Sequence, residues 1–208
     1  MSSYNYPISM PTTPGFVSSQ WKMKRAVAVS TSPFTGKSQV QEYDYALWQA
    51  VLTLPPMKRE LSSQWQAFFM KLRGRAGTFL MGDPDGKSIR GSATGSVTLY
   101  GAISTGSTQI TVTTSTINQT NAFRTGDYIQ LGTSGNARLH MVTGDTTTDG
   151  NARAILDIEP AIKSDYADGA TVIISDCKTV WRMDDNSLGW DADHVSKYGI
   201  SFSCTEAL

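Results

Sequence analysis

The sequence predicts a mainly β protein: a β-sandwich domain with one short α-helix, interrupted by an inserted small β-barrel of the OB type. Three observations carry this expectation. Two runs, Trp21 to Val29 and Ser38 to Leu54, carry aromatic and β-branched residues in strand-like patterns. Only the segment around Trp65–Leu72 has clear helical spacing. Between about Ser92 and Asp176 the tryptophans give way to Thr, Ser, Gly and Ala, and turn signals recur about every 8–12 residues, as in small sandwiches and barrels.

Taken in order, residues 1–20 are rich in Ser, Thr, Pro and Tyr, and Pro7, Pro11 and Pro14-Gly15 break any periodicity. An extended arm is expected there, ordered only where something packs on it. In the next run Trp21, Met23, Arg25, Val27 and Val29 fall on one side, with Lys22, Lys24, Ala26 and Ala28 on the other. Ser32-Pro33-Phe34-Thr35-Gly36 forms a turn, so this run and the one ending at Pro55-Pro56 make an antiparallel pair. Ser62 or Ser63 is the expected N-cap of the helix. Trp65, Phe68, Phe69 and Leu72 form its apolar stripe, and Arg73-Gly74 end it. So short a helix is marginal alone and needs a sheet to cover the stripe.

Gly77–Met81 reads as a short strand running into the turn Gly82-Asp83-Pro84-Asp85-Gly86. The strands expected next are Ser96–Tyr100, Gln109–Thr113, Asp127–Leu131, Arg138–Thr143, Ala152–Ile158 and Ala170–Ile174, followed by a last strand from Tyr198 to Cys204. All five tryptophans lie outside the Thr-rich stretch. The expected organisation is therefore a discontinuous domain, 1–91 plus 177–208, sharing one aromatic core, with an inserted barrel at 92–176.

Composition narrows the function. The chain has 208 residues, and 18 basic side chains balance 18 acidic ones. A protein that grips nucleic acid normally shows a basic excess, so nucleic-acid binding is not expected. No run approaches the ~20 apolar residues of a membrane helix. Residues 1–7 have no secretory pattern, so assembly in a cytoplasm is expected, with Cys177 and Cys204 as thiols.

Candidate chemistry is sparse. His140 and His194 are the only histidines, and no Gly-x-Ser-x-Gly elbow occurs. His140 is out of phase with Leu139 and Met141, on the nominally wetter face. The carboxylate pairs Asp83/Asp85, Asp184/Asp185 and Asp191/Asp193 sit in turns, where Asp bonds its own backbone. Two His and two Cys without ligand spacing make no zinc site. A non-enzyme without cofactor or metal is expected. In the inserted barrel, Tyr100, Tyr128 and Tyr166 are candidate glycan contacts, because OB-type barrels bind ligands on one face. In the outer segments, Trp21, Trp48, Pro55, Pro56, Trp181 and Trp190 are candidates for contacts between subunits.

The order of several short motifs resembles the distal tail proteins of long-tailed bacteriophages (siphophages), in the branch with an OB-like insertion. These motifs are Trp48 leading to Leu54-Pro55-Pro56, Leu72-Arg73-Gly74, and Gly126-Asp127-Tyr128-Ile129-Gln130-Leu131. Ile158-Glu159-Pro160, Asp168-Gly169-Ala170 and Trp181-Arg182-Met183 follow, and the chain ends Tyr198-Gly199-Ile200-Ser201-Phe202-Ser203 and then Glu206-Ala207-Leu208. The resemblance spans nearly the whole chain and is weakest over residues 1–20. It implies a virion protein of the tail tip, forming a homohexameric ring through its outer domain with the barrel facing outward. The implied partners are sister copies, the tail tube protein, the tail tip hub protein, and a tail fibre or host surface glycan. No catalytic residue is carried over.

Overall fold

A computed structural model describes residues 4–187, 189–192 and 197–208. Its strands are β1 Ile8–Ser9, β2 Ser18–Thr31, β3 Ser38–Thr53, β4 Phe79–Met81, β5 Val97–Leu99, β6 Gln109–Thr113, β7 Tyr128–Leu131, β8 Arg138–Val142, β9 Arg153–Glu159, β10 Thr171–Ile173, β11 Thr179–Met183, β12 Asp191–Ala192, β13 Tyr198–Gly199 and β14 Ser201–Glu206. The helix α1 spans Arg59–Leu72. The six strands expected between Ser96 and Ile174 are all present, each within one residue of its expected ends.

Besides the two-stranded ladder β12-β13, two larger bodies of sheet result. One is six-stranded, ordered β1-β4-β11-β14-β3-β2, antiparallel throughout except where β1 pairs parallel with β4. The other is a closed antiparallel barrel, β10-β5-β6-β9-β8-β7. It has six strands, one more than the OB type.

The expected sandwich takes a different form. Along β14, Phe202, Cys204 and Glu206 are buried while Ser201 is exposed and Ser203 and Thr205 are partly so. The outer face is thus polar and wet, as antiparallel sheets allow. The inner face is covered by α1, the arm and one wall of the barrel rather than by a second large sheet. Trp65, fully buried on α1, centres that layer: the rings of Phe16, Phe68, Phe69 and Phe202 all lie within 6.2 Å of it, centroid to centroid. The arm is tied down by Ile8 N donating to Thr78 O (3.0 Å), Tyr6 Oη to Lys71 O (2.8 Å) and Trp65 Nε1 to Thr13 O (3.1 Å).

The helix starts earlier than Ser62 or Ser63 suggested. Lys58 is the N-cap, in extended conformation and without a side-chain cap bond. Pro55 and Pro56 end the preceding strand, and Glu60 places a carboxylate in the first turn, where the helix dipole favours it. Ser63 Oγ instead donates back to Arg59 O (2.7 Å), and Ser62 Oγ accepts from Gln66 Nε2 (3.0 Å). The expected C-terminus is correct: Arg73 caps in the left-handed region (φ 54°) and Gly74 follows at φ 65°.

Barrel and sheet share a packed joint. Tyr128 and Leu139 belong to the sheet's apolar cluster, and Trp48 Nε1 donates to Leu139 O (2.9 Å). Where the chain crosses between the two bodies, a Cβ added to Gly82 would lie 1.9 Å from Cys177 O. Gly82→Ala is therefore expected to cost about 2 kcal/mol of stability by forcing these backbones apart. A urea midpoint equal to that of the unmodified chain would contradict this.

Candidate interaction surface

The β2–β3 pair is longer than the body it belongs to. Fourteen and 16 residues make strands of about 48 and 54 Å, against the roughly 17–20 Å usual in globular domains. β14 covers β3 only from Gln49 to Thr53. Just past that point the register steps from Arg25↔Ala46 to Ala26↔Tyr43, leaving Asp44 and Tyr45 as a bulge in β3. The bulge is braced from the barrel. Lys163 Nζ donates to Ala46 O, and Arg25 pairs with Glu42 (3.3 Å) and with Glu159 of β9 (2.6 Å).

Beyond the bulge the two strands leave the body as a bare hairpin. Val29 and Val40, cross-strand partners, are each 62% exposed, and Val27 and Tyr43 are exposed as well. The apolar side of β2 that begins with Trp21 and Met23 on the core thus runs out into solvent. Phe34, at the tip, is 94% exposed, in a turn closed by Ser32 N to Lys37 O and Gly36 N to Ser32 O (both 2.9 Å). The outer edge of β2 pairs with no other strand among the described residues. A two-stranded ribbon with no covered face is marginal in water, and an unpaired edge is a template for another chain.

The residues expected at subunit contacts fall differently. Trp48 and Trp181 are buried in the chain's own core, with Trp181 Nε1 donating to Met81 O (2.8 Å). Trp21 is half-buried, edge-on to both (centroids 6.1 and 5.1 Å). These three rings bind barrel joint, sheet and hairpin base into one cluster, so Trp48 and Trp181 spend their surface within the subunit and Trp21 part of its own. Pro55 is half-buried, Pro56 exposed and Trp190 39% exposed.

Of the three barrel tyrosines, Tyr128 is buried against Trp48 (centroids 6.0 Å), its hydroxyl donating to Asp83 (3.2 Å). Tyr166 packs against the barrel core. Tyr128 is thus spent within the chain, and Tyr166 is partly covered. Tyr100 is 48% exposed, with the Arg153 guanidinium stacked 3.6 Å from its ring centroid.

The expected wet face of β8 is buried. Leu139 and Met141 pack on the sheet while Val142 lies in the barrel core, so β8 is covered on both sides, and His140 is fully buried. Its Nδ1 lies 2.7 Å from Pro160 O; a carbonyl only accepts, so the proton sits on Nδ1. Burial, reinforced by Lys163 and Arg138, lowers the imidazole pKa to about 4, with the Pro160 bond opposing. Glu206, also buried, accepts from Thr179 Oγ1 (2.8 Å) and Trp48 N (3.3 Å). Its pKa is raised by burial, against the pull of these bonds and of Lys163 and Arg138. This polar cluster at the barrel–sheet joint was not read from the sequence. Its one available signal was Glu206 standing in phase with Phe202 and Cys204.

The remaining groups are turn-bound or enclosed. Asp83 accepts from Asp85 N (3.1 Å), Asp184 from Thr205 Oγ1 (2.6 Å) and Asp185 from Ser187 N (3.0 Å). Asp193 and His194 lie outside the described residues. Among the described residues no cluster of three or more His, Cys, Asp or Glu could hold a metal ion, and no helix is long and apolar enough to cross a membrane. Burial pushes the Cys177 thiol up to about 12 and Cys204 well above its ordinary value. Both should therefore resist a thiol reagent at pH 8 until the chain unfolds. Rapid labelling of the native protein would contradict that burial.

The defined class is a mainly β molecule whose one helix-backed sheet carries a barrel and projects an uncovered hairpin. No known protein family matches the chain, and no curated protein does either.

Proposed function

We propose that the chain is a structural subunit that assembles with copies of itself into a ring, the distal tail ring of a siphophage. In that setting it joins the tail tube protein to the tail tip hub protein in the virion, after assembly in the host cytoplasm. The observation that carries the reading is the hairpin beyond the bulge, a ribbon with exposed Val27, Val29 and Val40 and a free backbone edge, which nothing among the described residues covers. A ring of identical subunits needs such a heterologous donor surface. The phage setting and the sixfold symmetry rest on the motif resemblance, and the balanced charge agrees with a scaffold that holds no nucleic acid. Val29→Lys with Val40→Lys should abolish self-association while leaving the circular dichroism spectrum intact. Unchanged association would refute the hairpin as the interface.

A second reading has one observation in its favour. Tyr100, with Arg153 stacked on it, offers an exposed aromatic and a cation on the barrel wall, which suits contact with a host surface glycan by a tail-tip adhesion module. Binding of the full chain to a polysaccharide array, lost in Tyr100→Ala, is the expected result. Silence across host polysaccharides would leave scaffolding alone.

A further inference from the structure

The hairpin lies at one edge of the six-stranded sheet, and the opposite edge carries a cavity. In the order β1-β4-β11-β14-β3-β2, β2 and β3 form the projecting end, and β1 and β4 the other. Against β4, an open pocket of about 550 Å³ is lined by the arm and by the segments crossing to the barrel at 82–87 and 176–178, with Trp65 as the one residue from α1. Its wall is largely apolar, with the half-buried Met10, Phe16, Leu80 and Pro84 and the buried Trp65 and Met81 among its lining residues. Lys87 and the Lys178–Asp176 ion pair (2.7 Å) supply charged groups to the same lining.

We infer that Phe34 of one copy seats in this pocket of the next copy, so that the hairpin tip is the knob and the arm-lined pocket the socket of a head-to-tail contact. The inference rests on the self-assembly reading and names its partner surface. Three features converge on it. A heterologous assembly needs donor and acceptor on different surfaces of one subunit, and the sheet places them at opposite edges. The ribbon extends about 20 Å beyond the bulge, six residues from Ala26 to Thr31, far enough to reach past its own body. A benzyl side chain in an apolar pocket edged by charge has the make-up of an interface hot spot: a buried aromatic anchor within a polar rim.

Phe34 makes no packing contribution to its own chain, so Phe34→Ala should fold normally. It should weaken self-association about 30-fold or more, the hot-spot scale. On the socket side, a Cβ at Gly15 meets nothing within 4 Å, so Gly15→Trp can place an indole in the cavity without a backbone clash. It should show the same loss. Mixing the two variants is the discriminating experiment, read by native mass at matched concentration. A Gly15→Trp copy keeps its knob and a Phe34→Ala copy keeps its socket, so they should pair and stop at two. Phe34→Ala copies that assemble like the unmodified chain would overturn the knob and socket while leaving the ring intact. A mixture that yields no two-copy species, although the unmodified chain assembles, would overturn them equally. An unmodified chain that stays monomeric at every concentration would remove the ring reading itself.

Discussion

Trp65→Ala should lower folding stability by about 4 kcal/mol, the range for truncating a large buried aromatic. Trp65 has no exposed surface and lies within 6.2 Å of four aromatic rings, drawn from the arm, its own helix and β14. Its Nε1–H also ties the arm through Thr13 O. The substitution opens a cavity between helix and sheet and frees the arm. A chain of this size has roughly 5–15 kcal/mol in total, so the variant should remain folded at 25 °C with a much lower urea midpoint. A loss under about 1 kcal/mol would mean that α1 is not the second layer of the sheet.

Acid should weaken the joint between barrel and sheet through His140. The native imidazole pKa is about 4, and an unfolded histidine has about 6.5. The unfolded chain therefore takes up this proton first, and stability falls with pH. The loss begins near 6.5 and is complete just below 4, amounting to about 3 kcal/mol. Glu206 acts in the opposite direction. Its raised pKa lets the folded state protonate first, so it restores stability as pH falls through its native value. The two effects separate in His140→Asn, whose amide can still donate to Pro160 O. Between pH 7 and 4 the unmodified chain should lose about 3 kcal/mol more than this variant, measured by urea unfolding. Parallel profiles would contradict the buried neutral imidazole.

Local chemistry explains which parts of this architecture were legible in the sequence. The barrel strands could be placed closely because Gly, Asp and Asn mark their turns: Gly101, Gly106, Gly126 and Gly169 all have positive φ. The helix stripe was equally plain, since Trp65, Phe68, Phe69 and Leu72 are all buried. Its start was hidden because Lys58 caps nothing with its side chain, while Ser62 and Ser63 looked like caps.

Features that depend on how the two bodies meet left weaker traces. Alternation in β8 placed His140 on a wet face, but that strand is walled by the barrel core and the sheet together. Trp21, Trp48, Trp65 and Trp181 share one core as expected while Trp190 is exposed, yet periodicity does not say whether an aromatic faces its own core or a neighbour, and Trp48 and Trp181 face inward. The candidate surface lies instead in Val27, Val29, Phe34 and Val40. Its signal was length: two paired runs longer than a body of this size can cover.

The most direct test of the proposed assembly is the native mass of the full chain across a concentration series. Self-association through hairpin and socket predicts one closed species of fixed size, at six chain masses if the motif resemblance gives the symmetry, each chain being 22.6 kDa, appearing as rings by electron microscopy. A single 22.6 kDa species at every concentration would contradict it.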